Sequence, residues 1–147
     1  MICPACNKSL TRVLDSRDED SFVRRRRSCQ KCGYRFTTFE RIESPKLKVK
    51  KRDGSAEDYS HQKLSRGIKL CFEKRPLDCR QIEEIITEIE NKIIALNKKE
   101  VSSREIGDLV IDKLRKIDDV AYLRFLSVYK KFGSAKKFQK EAEKLSS

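Results

Sequence analysis

Two Cys-x-x-Cys pairs, Cys3/Cys6 and Cys29/Cys32, set the terms on which the first third of this chain folds. One such pair alone is compatible with a redox centre or a disulfide. Two pairs in one short segment supply four soft thiolates, the number and type that tetrahedral Zn²⁺ takes in a closed structural site. The stretch between them, Asn7 to Ser28, leaves room for an extended arm. A redox motif of this spacing follows a βαβ pattern, which is absent here, and no secretory signal precedes Cys3. Zinc is therefore the expected occupant.

The same segment is poor in large apolar side chains, chiefly Val13, Leu14, Phe22, Val23, Phe36, Phe39 and Ile42. A core of that size does not offset chain entropy, since units below about 40 residues usually need a metal or disulfides. Structural zinc contributes on the order of 10–16 kcal/mol of apparent binding energy, which in such a unit is folding energy. Chelation is expected to unfold it.

Charge comes next. The formal net charge of +12 over 147 residues predicts attraction to polyanions, without separating DNA from RNA or anionic lipid. No apolar run approaches the roughly 18–20 residues of a membrane span. Six cysteines without an export signal fit a reducing, cytoplasmic setting.

Residues 1–43 read as short strands and turns around the two cysteine knuckles. Ile42 to Lys46 reads as a linker, with Pro45 breaking regularity. Leu47 to Lys50 then alternates apolar and basic residues, Arg52-Asp53-Gly54-Ser55 carries a hairpin turn, and Ala56 to Tyr59 returns. Helices follow. Ser60 is placed to cap the first, with Tyr59 and Leu64 as a hydrophobic staple and Pro76 closing the segment. Asp78 and Gln81 begin the second, whose stripe is Ile82, Ile85, Ile86, Ile89, Ile93 and Leu96. Ser102 and Glu105 begin a third that is expected to bury Ile106, Leu109, Val110, Leu114 and Ile117. A fourth runs from about Asp119 to Phe132 with Gly133 as its C-terminal cap. A short basic helix from Ala135 to Leu145 is the last element. The expected fold class is α+β: a small β unit over 1–43, a mainly α-helical unit with one β-hairpin over 47–139, and a basic C-terminal tail over 140–147.

Two constellations carry chemistry. Arg24, Arg25, Arg26 and Arg27 lie two residues before Cys29, with Lys31 and Arg35 nearby and Arg12 and Arg17 in the first half. Arginine offers a rigid, permanently charged fork suited to phosphate oxygens and guanine edges. The tether to a zinc ligand gives that run a direction, so nucleic-acid contact is the expected role. The second is Val49, Lys50, Lys51, Arg52, Asp53 and Gly54, with Lys63 early in the first helix. Cations around a glycine turn beside a helix N-terminus can hold a polyphosphate. No G-x-x-x-x-G-K-[ST] sequence exists, so this is not a P-loop.

No catalytic set emerges, and the chain is not expected to be an enzyme. His61 is the only histidine and is expected to be exposed at a helix start. Cys71 lies on an apolar helix face, and Cys79 in a first turn. Tyr122, Phe125, Tyr129 and Phe132 recur at helical spacing and read as packing.

The whole pattern resembles the NrdR family, bacterial repressors of ribonucleotide reductase genes. Cys3-Pro4-x-Cys6, Val13-Leu14-Asp15-Ser16-Arg17, Val23 to Arg27 before Cys29-x-x-Cys32, and Arg35-Phe36-Thr37-Thr38-Phe39-Glu40 look like its zinc ribbon. Val49-x-Lys51-Arg52-Asp53-Gly54, Tyr59, Lys63-Leu64, Glu73 to Pro76, Ser103-x-Glu105-Ile106-Gly107 and Val120 to Tyr129 are similar to the ATP-cone. The resemblance implies that Cys3, Cys6, Cys29 and Cys32 bind one Zn²⁺ and that the ribbon grips double-stranded operator DNA. It further implies that ATP and dATP compete for the cone and change the size of a homo-oligomer. Val49, Lys51, Arg52, Asp53 and Gly54 would line the nucleotide, with Lys50 beside them. Lys63 would reach the phosphates, and Ile106 would lie near the base. An RNA-binding zinc-ribbon protein and a detached enzyme-regulating subunit are the competing classes.

Overall fold

The computed structural model describes residues 1–19, 22–43 and 46–146. The linker expected around Ser44 and Pro45 lies partly outside the described residues. The chain forms two compact units, Met1–Glu43 and Ser44–Ser147.

The first unit is an antiparallel sheet of β1 (Thr11–Glu19), β2 (Phe22–Cys29) and β3 (Arg35–Glu40), with β2 in the middle. The strands are longer than the short pieces expected, because β1 and β2 together make the arm between the knuckles. Thr11 pairs with Cys29 and Glu19 with Phe22, with an irregularity between Val13 and Asp15 that leaves Leu14 out of the pairing. Of the apolar residues noted above, Phe22 alone is buried, while Val13, Leu14, Phe39 and Ile42 are 44%, 43%, 44% and 73% exposed. The Phe22 and Phe39 rings meet edge to face at 5.4 Å with the Arg41 guanidinium over both. With one such cluster and a half-exposed Tyr34–Phe36 stack at 6.0 Å among its described residues, the unit depends on its metal even more than its composition implies.

The second unit has β4 (Lys48–Lys50), β5 (Ala56–Asp58), α1 (His61–Cys71), α2 (Cys79–Ala95), β6 (Glu100–Ser102), α3 (Ser103–Arg115), α4 (Asp119–Tyr129) and α5 (Ala135–Glu143). The hairpin β4–β5 forms as expected, and β6 adds a third strand, parallel to β4 with Val49 opposite Val101. Val101, read from sequence as a staple residue before α3, is a core strand residue with 1% exposure. Ile68, Ile86, Ile89, Ile93, Val110 and Leu114 complete a core with Leu126 of α4, which the stripe read there (Tyr122, Phe125, Tyr129 and Phe132) did not include.

Each helix starts on a side-chain cap. Ser60, Asp78, Ser102, Asp118 and Ser134 accept from the backbone N–H three residues on, and the boxes Asp78/Gln81 and Ser102/Glu105 are closed in both directions. The ends differ more from expectation. Helix α4 stops at Tyr129 rather than Phe132, and the left-handed residue of the following turn is Lys131 (φ 46°), not Gly133. Ile117 is 37% exposed because α3 ends at Arg115 and releases it from the buried stripe. Position 139/140 falls inside α5, so no break in secondary structure separates a tail there.

Candidate functional sites

The metal centre is built from two matching turns. After Cys6, Asn7 has φ 52°, and after Cys32, Gly33 has φ 73°, so each knuckle leaves its second cysteine through a left-handed residue. Asn7 N–H donates to Cys3 O at 2.9 Å and Gly33 N–H to Cys29 O at 3.1 Å. These turns bring the four Sγ atoms of Cys3, Cys6, Cys29 and Cys32 within 4.8 Å of one another. The Cys3–Cys32 and Cys6–Cys29 separations are 3.7 Å each. Tetrahedral zinc with bonds of about 2.3 Å sets S···S edges of about 3.8 Å, so the donors fit the ion. Backbone N–H groups of Cys32 and Lys31 donate to Cys29 Sγ at 3.4 and 3.3 Å, which favours its thiolate form. Four protein sulfurs leave no open position for water, which makes the role structural.

The sheet sorts the arginines. Side chains alternate between faces along β2, and directly paired residues share a face. Arg24 pairs with Arg17 and Phe39, Arg26 with Asp15 and Thr37, and Ser28 with Arg12 and Arg35. Arg12, Arg17, Arg24, Arg26 and Arg35 therefore fall on one face. Arg25 and Arg27 point the other way, where Arg25 is ion-paired with Glu40 and Arg27 Nε donates to Thr38 Oγ1 at 3.2 Å. The run of four is thus two pairs. On the first face only Arg17 has a carboxylate, Asp15 at 3.2 Å; Arg12, Arg24, Arg26 and Arg35 make no side-chain hydrogen bond or ion pair among the described residues. Lys31 is exposed in the second knuckle turn, outside the sheet.

A small cavity of about 140 Å³ opens between β4, β5 and the starts of α1 and α3, lined by Val49, Glu57, Tyr59, Ser60, Lys63 and Ile106 among others. Ser60 caps α1, and Ser103, also on the wall, is the first residue of α3, so two helix N-termini face the space. Both favour an anion. Lys63 Nζ lies 2.8 Å from Glu57, whose carboxylate also takes Lys51 Nζ at 3.0 Å. Those two ammonium groups hold the Glu57 carboxyl below its usual range.

Of the residues expected here, Val49, Lys63 and Ile106 line the cavity. Lys50, Lys51, Arg52, Asp53 and Gly54 do not. Lys50 is exposed at the end of β4. Asp53 accepts from the N–H and Oγ of Ser55, and Gly54 takes φ 87°, so both shape the turn. Arg52 Nη2 donates to Tyr129 O at 2.8 Å and its guanidinium covers the Tyr129 ring at 5.2 Å, a partner on α4 that no local pattern announces. Glu57, Tyr59, Ser60 and Ser103 were absent from the expected site. The register of the Asp53-Gly54 hairpin points to Glu57, opposite Val49; Ser103 arrives only through the parallel β4–β6 pairing.

Behind the cavity, Glu90 of α2 is 7% exposed and accepts from Tyr59 OH at 2.8 Å. His61 Nδ1 lies 2.8 Å from the same Oε1, so His61 is half-buried rather than exposed as expected. Burial and the neighbouring Glu90 push the Tyr59 phenol well above its usual range. The wall of the cavity is thereby tied to the helical core.

Residues 1–40 match the family model of the transcriptional repressor NrdR-like N-terminal domain, and residues 47–134 match the ATP cone domain. A four-thiol ribbon followed by a nucleotide-binding cone defines a class of metal-dependent transcriptional regulators, not enzymes. The transcriptional repressor NrdR of Lactobacillus delbrueckii subsp. bulgaricus is 46% identical over 145 residues, covering 97% of this chain and 94% of the relative. Those of an Exiguobacterium species and of Listeria monocytogenes are 47% and 45% identical over 147 residues, 99% of this chain and 95% and 96% of theirs. The chain belongs to the NrdR family. Zn²⁺ at the ribbon and a nucleotide at the cone are the ligands of its two domains. No helix among the described residues is long and apolar enough to cross a membrane.

Proposed function

We propose that the chain represses ribonucleotide reductase genes by binding operator DNA through the open arginine face of its ribbon, under control of ATP and dATP at the cone. The observation that carries this is the sorting of Arg12, Arg17, Arg24, Arg26 and Arg35 onto one face of a metal-pinned sheet. A β-ribbon fits the major groove, where arginine forks read guanine and phosphates fix register. Acting in the cytoplasm, the protein meets both DNA and adenylates.

The cone cavity is below the roughly 300–1,000 Å³ of ordinary ligand pockets. A nucleotide enters when Lys63 and Lys51 exchange the Glu57 carboxylate for its phosphates, with Ile106 and Val49 against the base. A ligand moves an equilibrium only by binding one assembly better than another. Nucleotide exchange at the cone changes how many ribbons one homo-oligomer offers to an operator, and linked ribbons bind with greater avidity without any new contact.

The face assignment is tested by fluorescence anisotropy on a duplex from upstream of a ribonucleotide reductase gene, against a scrambled duplex and a single-stranded RNA. R24Q/R26Q is expected to weaken operator binding at least 100-fold and R25Q/R27Q at most about tenfold. Equal losses, or tighter binding to the RNA, overturn the reading.

A further inference from the structure

At the end of the cone, the turn after α4 and one side of α5 enclose an open cleft of about 400 Å³ lined by Lys130, Lys131, Lys137, Lys140 and Lys144. One carboxylate stands among them: Glu141 lies 3.9 Å from Lys130 and 3.2 Å from Lys144. Lys131, Lys137 and Lys140 have no carboxylate partner among the described residues. Elsewhere on the same unit Lys48, Lys69, Lys98 and Lys113 each hold an acidic side chain, and the described lysines without one, such as Lys50, Lys92, Lys99 and Lys116, are exposed outside any such cleft; what sets this end apart is five lysines gathered around one carboxylate. The cleft is also held in shape. The Phe132 and Phe138 rings pack edge to face at 5.4 Å, and Ser134 caps α5, so the helix is fixed to the end of α4. Lys137, Lys140 and Lys144 recur at i, i+3 and i+7 and so share a helix face about 10 Å long. That length spans roughly three base-pair steps of a duplex at about 3.4 Å each.

We infer that this lysine cleft is a second DNA contact, taking the phosphate backbone of the duplex whose bases the ribbon reads. The inference rests on the proposed operator-binding function and deepens it. Lysine is suited to this work: a compact point charge on a flexible stem, able to hold phosphate but without the planar fork that reads a base. The cleft adds affinity and salt dependence and adds no sequence preference.

The test compares the salt dependence of operator binding for the full-length, zinc-loaded wild type, K137Q/K140Q/K144Q, and the exposed control K92Q/K99Q/K116Q. The control removes the same charge from other parts of the unit. Loss of each phosphate contact lowers the slope of log K against log salt by about 0.9, so the cleft variant is expected to be shallower by about 2–3 per engaged chain, with its preference for operator over scrambled duplex retained. The control is expected to keep the wild-type slope, and all three proteins the same helical dichroism and ATP affinity. Equal slopes for cleft variant and control overturn the cleft assignment alone. So does a variant that loses binding to phosphatidylserine vesicles while keeping the wild-type slope on DNA, which would make the cleft a lipid contact. A wild type that binds no duplex at all strikes the proposed function instead.

Discussion

Gly107 and Tyr129 share one space: a Cβ on Gly107 would stand 2.1 Å from Tyr129 Cε2. The ring cannot easily retreat. Its one hydroxyl proton is shared between Arg104 O at 3.0 Å and Asp108 Oδ1 at 3.1 Å, Phe125 stacks on it at 5.8 Å, and Arg52 covers it. One aromatic ring therefore joins the β4–β5 turn, α3 and α4, and the α3 residue before Gly107 is the cavity residue Ile106. In an open helix, Gly→Ala stabilises by about 1 kcal/mol. Here overpacking of about 1–3 kcal/mol wins. Gly107→Ala is expected to lower the melting temperature by several degrees, read by dichroism at 222 nm; a rise would show that the ring moves freely.

Removal of zinc is expected to unfold the ribbon and spare the cone. With Phe22 the one buried apolar residue among those first counted as core, the strands have little to hold them once the thiolates are freed. Chelation followed by proteolysis should degrade residues 1–43 and leave a fragment from the second unit. Protection of the ribbon without metal would contradict this.

Glu57 sits where the triphosphate is proposed to bind. Glu57→Gln removes the carboxylate that holds Lys51 and Lys63, and exposed pairs of this kind are worth a few tenths to about 1 kcal/mol. ATP affinity by calorimetry is expected to rise about two- to fivefold. Lys63→Ala in the same assay should lower it at least tenfold. A weaker-binding Glu57→Gln would mean that the carboxylate serves the nucleotide directly.

Acid acts on α3 through Glu105. Its carboxyl is held down to about 2 by Lys98 first, then by the N–H and hydroxyl of Ser102. A depressed carboxyl contributes stability that is complete above its unfolded value near 4.5 and fades as pH falls toward about 2. Protection factors of α3 amides, exchange rates corrected for their intrinsic pH dependence, should therefore fall in wild type below about pH 4.5. Glu105→Gln, which keeps the capping geometry without the charge, should lack that step. Identical pH profiles would contradict the assignment.

What could be read before folding was local. The knuckles, the caps at Ser60, Asp78 and Ser102, the isoleucine stripe of α2 and the Asp53-Gly54 turn each act within a few residues. What escaped was built across distance. Strand β6 is only three residues, Glu100–Ser102, and pairs with β4 across about fifty residues, so neither it nor Ser103 as a cavity wall left a periodic trace. Arg52 carries the same charge as Lys51, and only the placement of Tyr129 decides that it turns toward α4. Within the ribbon the missing step was smaller: a period of two along β2 would already have divided Arg24 and Arg26 from Arg25 and Arg27.

Coupling between cone and ribbon is the central claim, and operator affinity measured on one zinc-loaded preparation with ATP and then with dATP tests it most directly, with mass photometry on the same samples. The account predicts operator affinities that differ at least fivefold between ATP and dATP, accompanied by a change in oligomer mass, since coupling of about 1–3 kcal/mol is typical of linked sites. Equal affinity and a single mass under both nucleotides would contradict it.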